Sequence, residues 1–284
     1  MQITREHVEV LAPPERLRTP LVCAIVRRVD AARSAQPLRA DVQANPYACL
    51  NFVVEGAVQV PGQGVLPKLF LTGPFTVPVP TEVAGALRSV SIVMQPWLLR
   101  LVFDLDAALM VGRIVDMEAA PSAGMGALRD AAASLSEDLA SVDGLWAALQ
   151  ALLAAAGPVT QPRLALDCLR AEGVAAAAQA CGLGERQYRR RFVHHMGLRP
   201  SAWVRISRLE AVLQGLGGAG AAPVALGELA LDAGYADQAH MSREARSLVR
   251  RSPAGLQQAL RADGAAPWSL QPARPISSRR GRKP

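Results

Sequence analysis

The chain has 284 residues, half of them hydrophobic, which is enough for about two domains with real cores. Its net charge of +7 is uneven: residues 160–284 hold 19 Lys+Arg against 9 Asp+Glu, whereas residues 1–159 hold 12 against 15. A basic half joined to a mildly acidic half implies a polyanion partner for one of them only. Cys23, Cys49, Cys168 and Cys181 lack both the C-x-x-C spacing of a metal site and the density of a disulfide framework, so they read as thiols in a reducing compartment.

The first residues are mixed polar, without the apolar core of a signal peptide. No apolar run is expected to approach the roughly 18 residues of a membrane span. A soluble, cytoplasmic protein with no membrane partner is the expectation. Residues 1–16 are charged and proline-rich, ending in Leu11-Ala-Pro-Pro-Glu-Arg16, ahead of an apolar segment from Leu21 to Val26. Strand signals then strengthen. Cys49 to Val60 alternates loosely, Gly62-Gln-Gly64 is a turn, and Lys68 to Thr72, Thr76 to Val79 and Leu87 to Met94 are short β-prone runs broken by Gly73-Pro74 and Pro80. Short strands at this spacing imply a β-sandwich or barrel. Pro96 to Phe103 reads as helical.

Two apolar stripes follow, one through Ala127, Leu128, Ala131, Leu135 and Leu139, the other through Leu145, Trp146, Leu149, Leu152 and Leu153. Ser141-Val-Asp-Gly144 separates them, which predicts a helical hairpin. Gly157-Pro158, with Pro162 close behind, is the expected linker. The predicted division is therefore residues 1–115, a β-rich domain; 116–159, the hairpin and linker; 160–262, a helical domain; and 263–284, a basic tail read as disordered from Pro267 to Pro284.

In the helical domain, Cys181-Gly-Leu-Gly-Glu-Arg-Gln-Tyr-Arg-Arg-Arg-Phe192 carries a strong pattern. Gly182 ends one helix and Gly184 can cap the next. On that next helix Tyr188 and Phe192 point inward, while Arg186, Arg189 and Arg190 share the opposite face. Three arginines alone could be a solvated charged surface, but a second copy argues otherwise. Ala233-Gly-Tyr-Ala-Asp-Gln-Ala-His-Met-Ser-Arg-Glu-Ala245 again has a closing glycine, Gly234, and a capping residue, Asp237. Met241, Ala245 and Leu248 form its inward side. Each copy runs into a proline turn, Leu198-Arg-Pro200 and Arg251-Ser-Pro253, and Gly182 lies 52 residues before Gly234. A supersecondary unit repeated at that period means two similar modules side by side. Ser201 to Leu216 reads as the helix between them, with Gly215, Gly217, Gly218 and Gly220 loosening its end.

Residues 165–262 resemble the double helix-turn-helix DNA-binding domain of the AraC/XylS family of bacterial transcription regulators. The carrying residues are Ala178, Gly182, Tyr188, Arg190, Phe192, Gly197, Pro200 and Trp203, then Arg208-Leu209, then Glu228-Leu-Ala230, Gly234-Tyr235, Arg243 and Pro253. Ala245 and Arg250 depart from the pattern, standing where the family has Phe and Gly, and Ala175 to Ala178 is an unusual alanine run. The N-terminal half resembles the cupin-like sensing domain of a branch of the same family, through Asn45-Pro46, Leu50-Asn51-Phe52, Gly73-Pro74 and the step from Val93 to Leu101. The resemblance implies an α+β protein of two domains: a cupin-like sandwich with a helical hairpin, then two helix-turn-helix units joined by a long helix.

The same resemblance places DNA contacts at Arg186, Gln187, Arg189 and Arg190 in the first unit and Gln238, Ala239, Ser242 and Arg243 in the second. Arg suits guanine O6/N7 and Gln suits adenine N6/N7 in the major groove. Capped helix N-termini and Arg199 or Arg205 suit phosphates. The implied partners are double-stranded DNA, a small-molecule effector held among apolar residues of strands 49–60 and 87–94, RNA polymerase and a second copy of the chain, with no cofactor. Two other readings stay open: a regulator that senses nothing and uses its N-terminal half only to dimerise, and a small-molecule binding module with a degenerate DNA unit. Catalysis has little to stand on. His7 is the only histidine in residues 1–159, too few for a metal site, and no G-x-S-x-G elbow or phosphate loop occurs. His194-His195 fit a helix end or a phosphate contact better than a base or a metal site.

Overall fold

The computed structural model describes residues 6–30, 37–118, 124–219 and 223–263. The basic tail expected from Pro267 to Pro284, and Gly220, lie outside the described residues.

Among the described residues ten strands build the N-terminal region: β1 (Glu6–Leu11), β2 (Leu21–Val29), β3 (Leu38–Val42), β4 (Ala48–Glu55), β5 (Val58–Val60), β6 (Gly64–Val65), β7 (Leu69–Thr72), β8 (Val79–Val83), β9 (Leu87–Met94) and β10 (Ile114–Asp116). They form a six-stranded antiparallel sheet of order β1-β2-β9-β4-β7-β10 and a four-stranded sheet of order β3-β8-β5-β6. Val29, Val53, Phe70 and Leu87 of the larger sheet meet Val58 and Val83 of the smaller in one apolar cluster, so the two sheets face each other. The architecture is consistent with a cupin-like domain.

Alternation along the strands decides which side faces what. Leu50, Phe52, Val90 and Ile92 point away from the small sheet, toward two helices, α3 (Met125–Glu137) and α4 (Val142–Ala156). Leu128, Leu135, Leu145, Trp146 and Leu149 fill that contact and are all at least 98% buried. The expected hairpin is thus present, but its break falls earlier, at Asp138–Ser141. There the Asp138 carboxylate accepts the Ala140 amide and caps a short 3-10 turn, leaving Gly144 inside α4. The run Leu139–Ala156 is 18 residues long with mean hydropathy 1.5, so by length and composition one stretch does reach span size, contrary to expectation. Its apolar stripe is accounted for by packing on α3 and the sheet.

Other sequence expectations shift locally. β1 forms within a stretch read only as charged and proline-rich, because Glu6 to Leu11 pairs in full register with Val29 to Ala24 of β2. β3 also went unforeseen. The run from Thr76 does not extend as one strand; β8 begins at Val79 and carries Pro80 within it. That proline is tolerated because β8 pairs there only with β3 on one side, β5 reaching no further than Glu82. After β9, α1 (Leu98–Phe103) and α2 (Ala107–Met110) lead toward β10.

The C-terminal region is helical: α5 (Leu166–Glu172), α6 (Val174–Ala180), α7 (Glu185–Met196), α8 (Pro200–Ala219), α9 (Leu226–Asp232), α10 (Gln238–Val249) and α11 (Pro253–Asp263). The irregular stretch 157–165 lies at the expected linker. The joining helix runs to Ala219 rather than fraying at its glycines. A Cβ on Gly215 would come 2.6 Å from Leu229 Cδ1 on α9, so that leucine side chain would have to move aside. Twenty residues at about 1.5 Å each give α8 a length of roughly 30 Å.

Candidate nucleic-acid interface

In the first unit, α7 is fixed from behind. Tyr188 and Phe192 are fully buried, the Tyr188 hydroxyl donates to the Leu164 carbonyl at 2.7 Å, and Phe192 meets the Trp203 ring edge-on at 6.1 Å. Such an aromatic contact adds about 0.5–1.5 kcal/mol beyond burial alone. Gly184 caps the start with an extended backbone, and Gly197 closes the end in the left-handed region at φ 73°. Gly197 is needed twice over, because a Cβ there would lie 2.4 Å from the Ala107 carbonyl of α2.

That fixed back leaves Arg186, Gln187, Arg189 and Arg190 exposed together on the front. Two grooves follow this face. One of about 420 Å³ is lined by Gly184, Arg186, Gln187 and Arg190. The other, about 640 Å³, runs between Arg189, Arg190 and Val193 on α7 and Arg199, Pro200 and Ser201 at the start of α8. Arg189 Nη2 already holds Glu185 Oε2 at 2.6 Å, one turn back. An exposed i,i+4 pair is worth only about 0.3–0.5 kcal/mol, so Arg189 can leave it for a base at little cost. Among the described residues Arg186 and Arg190 make no ion pair.

The second unit is built differently. Asp237 accepts the His240 amide at 2.6 Å and caps α10, and the His240 ring stands edge-on to Tyr235 at 5.3 Å. Met241, Ala245, Leu248 and Val249 form its buried side. Gln238, Ala239 and Arg243 are exposed on the other, with Ser242 half-buried among them. Arg205 of α8 reaches the second unit: its Nε donates to Glu244 Oε1 at 3.0 Å and its Nη2 to the Ser247 hydroxyl, with part of the side chain open to solvent. Arg199 is exposed in the second groove, as a phosphate contact requires. His194 is exposed as well. His195 is half-buried, and burial, then His194 and Arg191, lower its pKa, so it is a poor cation for a phosphate.

Residues 177–259, from within α6 to within α11, match the family model of a helix-turn-helix domain. The domain is of the AraC type, that of DNA-binding transcription regulators. No curated protein and no solved structure matches the chain. In this AraC-type domain α7 and α10 are the second helices of the two units, and α8 joins them. Arg250, where the pattern has glycine, takes the glycine's left-handed conformation at φ 56° and ψ 11°. For a non-glycine residue that costs about 1–2 kcal/mol.

Sequence reasoning missed a seam between the regulator's two regions. The Ala44 amide donates to the Leu248 carbonyl at 3.0 Å. Arg250 Nη1 lies 3.4 Å from Asp41 Oδ1, and its Nη2 reaches the Pro78 carbonyl at 3.5 Å. The Tyr47 hydroxyl donates to Glu210 Oε2 at 3.3 Å. Burial pushes the Glu210 carboxyl up to about 7, although the Tyr47 hydroxyl and the Arg170 guanidinium pull it down. Residues 163 positions apart leave no local signal of such a pair. Arg250 alone was visible in advance, as an arginine where glycine was expected.

One face of the larger sheet carries buried thiols and polar groups close to the seam. Cys23 and Cys49 flank Val93 in register on either side of β9, about 9–10 Å apart by strand spacing, too far for a disulfide. Burial pushes the Cys49 thiol up to about 12 and the Cys23 thiol higher still. Beside them the Ser91 hydroxyl donates to Asn51 Oδ1 at 2.7 Å. Apolar and polar groups therefore share that face.

Proposed function

We propose that this chain is an effector-responsive transcription regulator that reads a two-part DNA site, one part through each helix-turn-helix unit. The observation that carries the reading is the two-faced character of both α7 and α10: buried apolar backs, and polar or cationic fronts left open. Successive major grooves on one face of DNA are about 34 Å apart. A joining helix of roughly 30 Å sets two units at a compatible separation.

In this reading Arg186, Arg189 and Arg190 read guanine edges, with Gln187 beside them. Gln238, Ala239, Ser242 and Arg243 meet bases in the second groove. Arg199 and the capped helix starts meet phosphates. The working division is a sandwich of residues 1–115, a hairpin and linker of 116–159, a DNA-binding domain of 160–262 and a basic tail of 263–284. The effector lies between the two sheets, the second copy and RNA polymerase are the protein partners, and the protein works in the cytoplasm without cofactor or catalysis.

The test is selection of bound fragments from genomic DNA, followed by a salt titration of the best site. With about 6–10 phosphate contacts, raising salt from about 50 to 200 mM weakens binding on the order of 10³–10⁵-fold. A salt-insensitive interaction, or no selected fragment, overturns the DNA reading. A thermal-shift screen with small molecules separates an effector-responsive regulator from one that senses nothing.

A further inference from the structure

We infer that the segment Asp41–Tyr47 is a coupling strap through which the sandwich sets the position of the second helix-turn-helix unit relative to the first. The inference rests on the reading that both units engage one DNA molecule.

The strap touches both the helix that joins the units and the second unit's α10. Tyr47 reaches Glu210, midway along α8. Ala44 donates to Leu248, and Asp41 holds Arg250, at the end of α10. A helix end leaves its last carbonyls without partners in the helix. Here one of those, on Leu248, is satisfied from the other region of the chain rather than from within the unit. The neighbouring Arg250 keeps a backbone conformation that arginine rarely adopts, and its side chain then lies across Asp41 and Pro78. An arginine in a glycine conformation at a domain contact points to a role for the side chain.

At its other end the strap belongs to the sandwich. It carries the chain from β3 in the small sheet to β4 in the large one. Asn45 pairs with Phe75 through both backbone bonds, and its side chain accepts the Tyr47 amide and donates to the Gln43 carbonyl. Any change in how the two sheets sit, such as a molecule entering between them, is carried to Ala44 and Tyr47. Both recognition faces stay open while the strap is docked, with Arg186, Arg190, Gln238 and Arg243 exposed. The strap therefore acts on the spacing of the two units and does not cover either.

The test uses the full chain, with Asp41→Ala, Tyr47→Phe and Arg250→Gly variants. Arg250→Gly keeps the helix cap, since glycine prefers that conformation, and removes only the tether. Hydrogen exchange should rise about tenfold or more at the Ala44 amide in the Asp41 and Arg250 variants, with β2 and β9 unchanged. On two-part sites whose halves are moved apart or together by one or two base pairs, the wild type should discriminate sharply. The variants should lose about fivefold or more of that discrimination, with binding to the first half-site alone unaltered. A wild-type spacing profile in all three variants overturns the strap, as does unchanged exchange at Ala44. If the wild type binds no duplex at all, the DNA reading fails and takes this inference with it.

Discussion

The two helix-turn-helix units share a plan but not a source of rigidity. The first holds its recognition helix with aromatics: Tyr188 and Phe192 lock α7 against Leu164 and Trp203, and the chain closes on Gly197, packed against Ala107 of α2. The second has no aromatic on the buried face of α10, packs it with Met241, Ala245, Leu248 and Val249, and ends on a strained arginine. Its orientation is supplied by neighbours, through Glu244–Arg205 to α8 and through Leu248 and Arg250 to the sandwich. A repeated fold can thus keep one copy fixed by an aromatic core and one whose placement is open to adjustment. The copy with the aromatic core is also the one with the arginine-rich front.

The largest expected effect tests the packing half of that comparison. Phe192→Ala should destabilise the protein by about 3–5 kcal/mol, read by urea or thermal unfolding of the full chain, because it empties the site between Tyr188 and Trp203. Filling the equivalent place in the second unit should not help. Ala245 is wholly buried beside Met241 and Leu248, so Ala245→Phe should cost about 1–3 kcal/mol by overpacking. If that substitution stabilises instead, the second unit carries a cavity and the comparison is wrong.

The reading half is tested by base preference. Arg186→Ala should remove about 1–3 kcal/mol of discrimination at its position in one half-site. Arg189→Ala should do somewhat less, since that arginine must first leave Glu185. Gln238→Ala should change the selected sequence least. Randomised-site selection in which the Gln238 half carries the stronger preference would reverse the assignment.

The dependence of the second unit on the sandwich should show in pH. Glu210 is held up to about 7 from its ordinary 4.5 by burial at the seam, faced by Tyr47, Cys23 and Arg170. Its folded pKa is raised, so its contribution is fully present below about 4.5 and is lost as pH rises through about 7. Solvent reaches part of the side chain, which limits the change to the order of 1–3 kcal/mol. Stability measured between pH 5 and 8 should fall through this window in the wild type. Glu210→Gln should flatten the fall; an unchanged slope would place its origin elsewhere. The depressed His195 works in the opposite direction over part of the same window, its contribution being lost as pH falls below the ordinary histidine value of 6.5, so it offsets part of the Glu210 slope there.

Much of this protein was written locally in the chain. The two helix-turn-helix units followed from glycine stops, caps and 3.6-residue periodicity, all of which act within a turn or two of helix. Tyr188, Phe192, Met241, Ala245 and Leu248 were placed inward by spacing alone and are buried. The exposed fronts of α7 and α10 follow from the same periodicity. The strong strands β4, β7 and β9 were legible because their apolar residues are bounded by turns.

What tertiary structure decided was everything that depends on a partner far along the chain. β1 and β3 are strands because β2 and β8 pair with them, not because their own residues insist on it. α8 continues through its glycines, with Gly215 lying against Leu229 of α9. Arg205 on α8 and Glu244 on α10 stand 39 residues apart in the chain, yet folding sets them 3.0 Å from each other. The seam joins Tyr47 to Glu210 and Asp41 to Arg250, and no window of sequence contains either pair. Side-chain pattern specifies which way each residue faces on its own element, but what it faces is settled only when the elements pack.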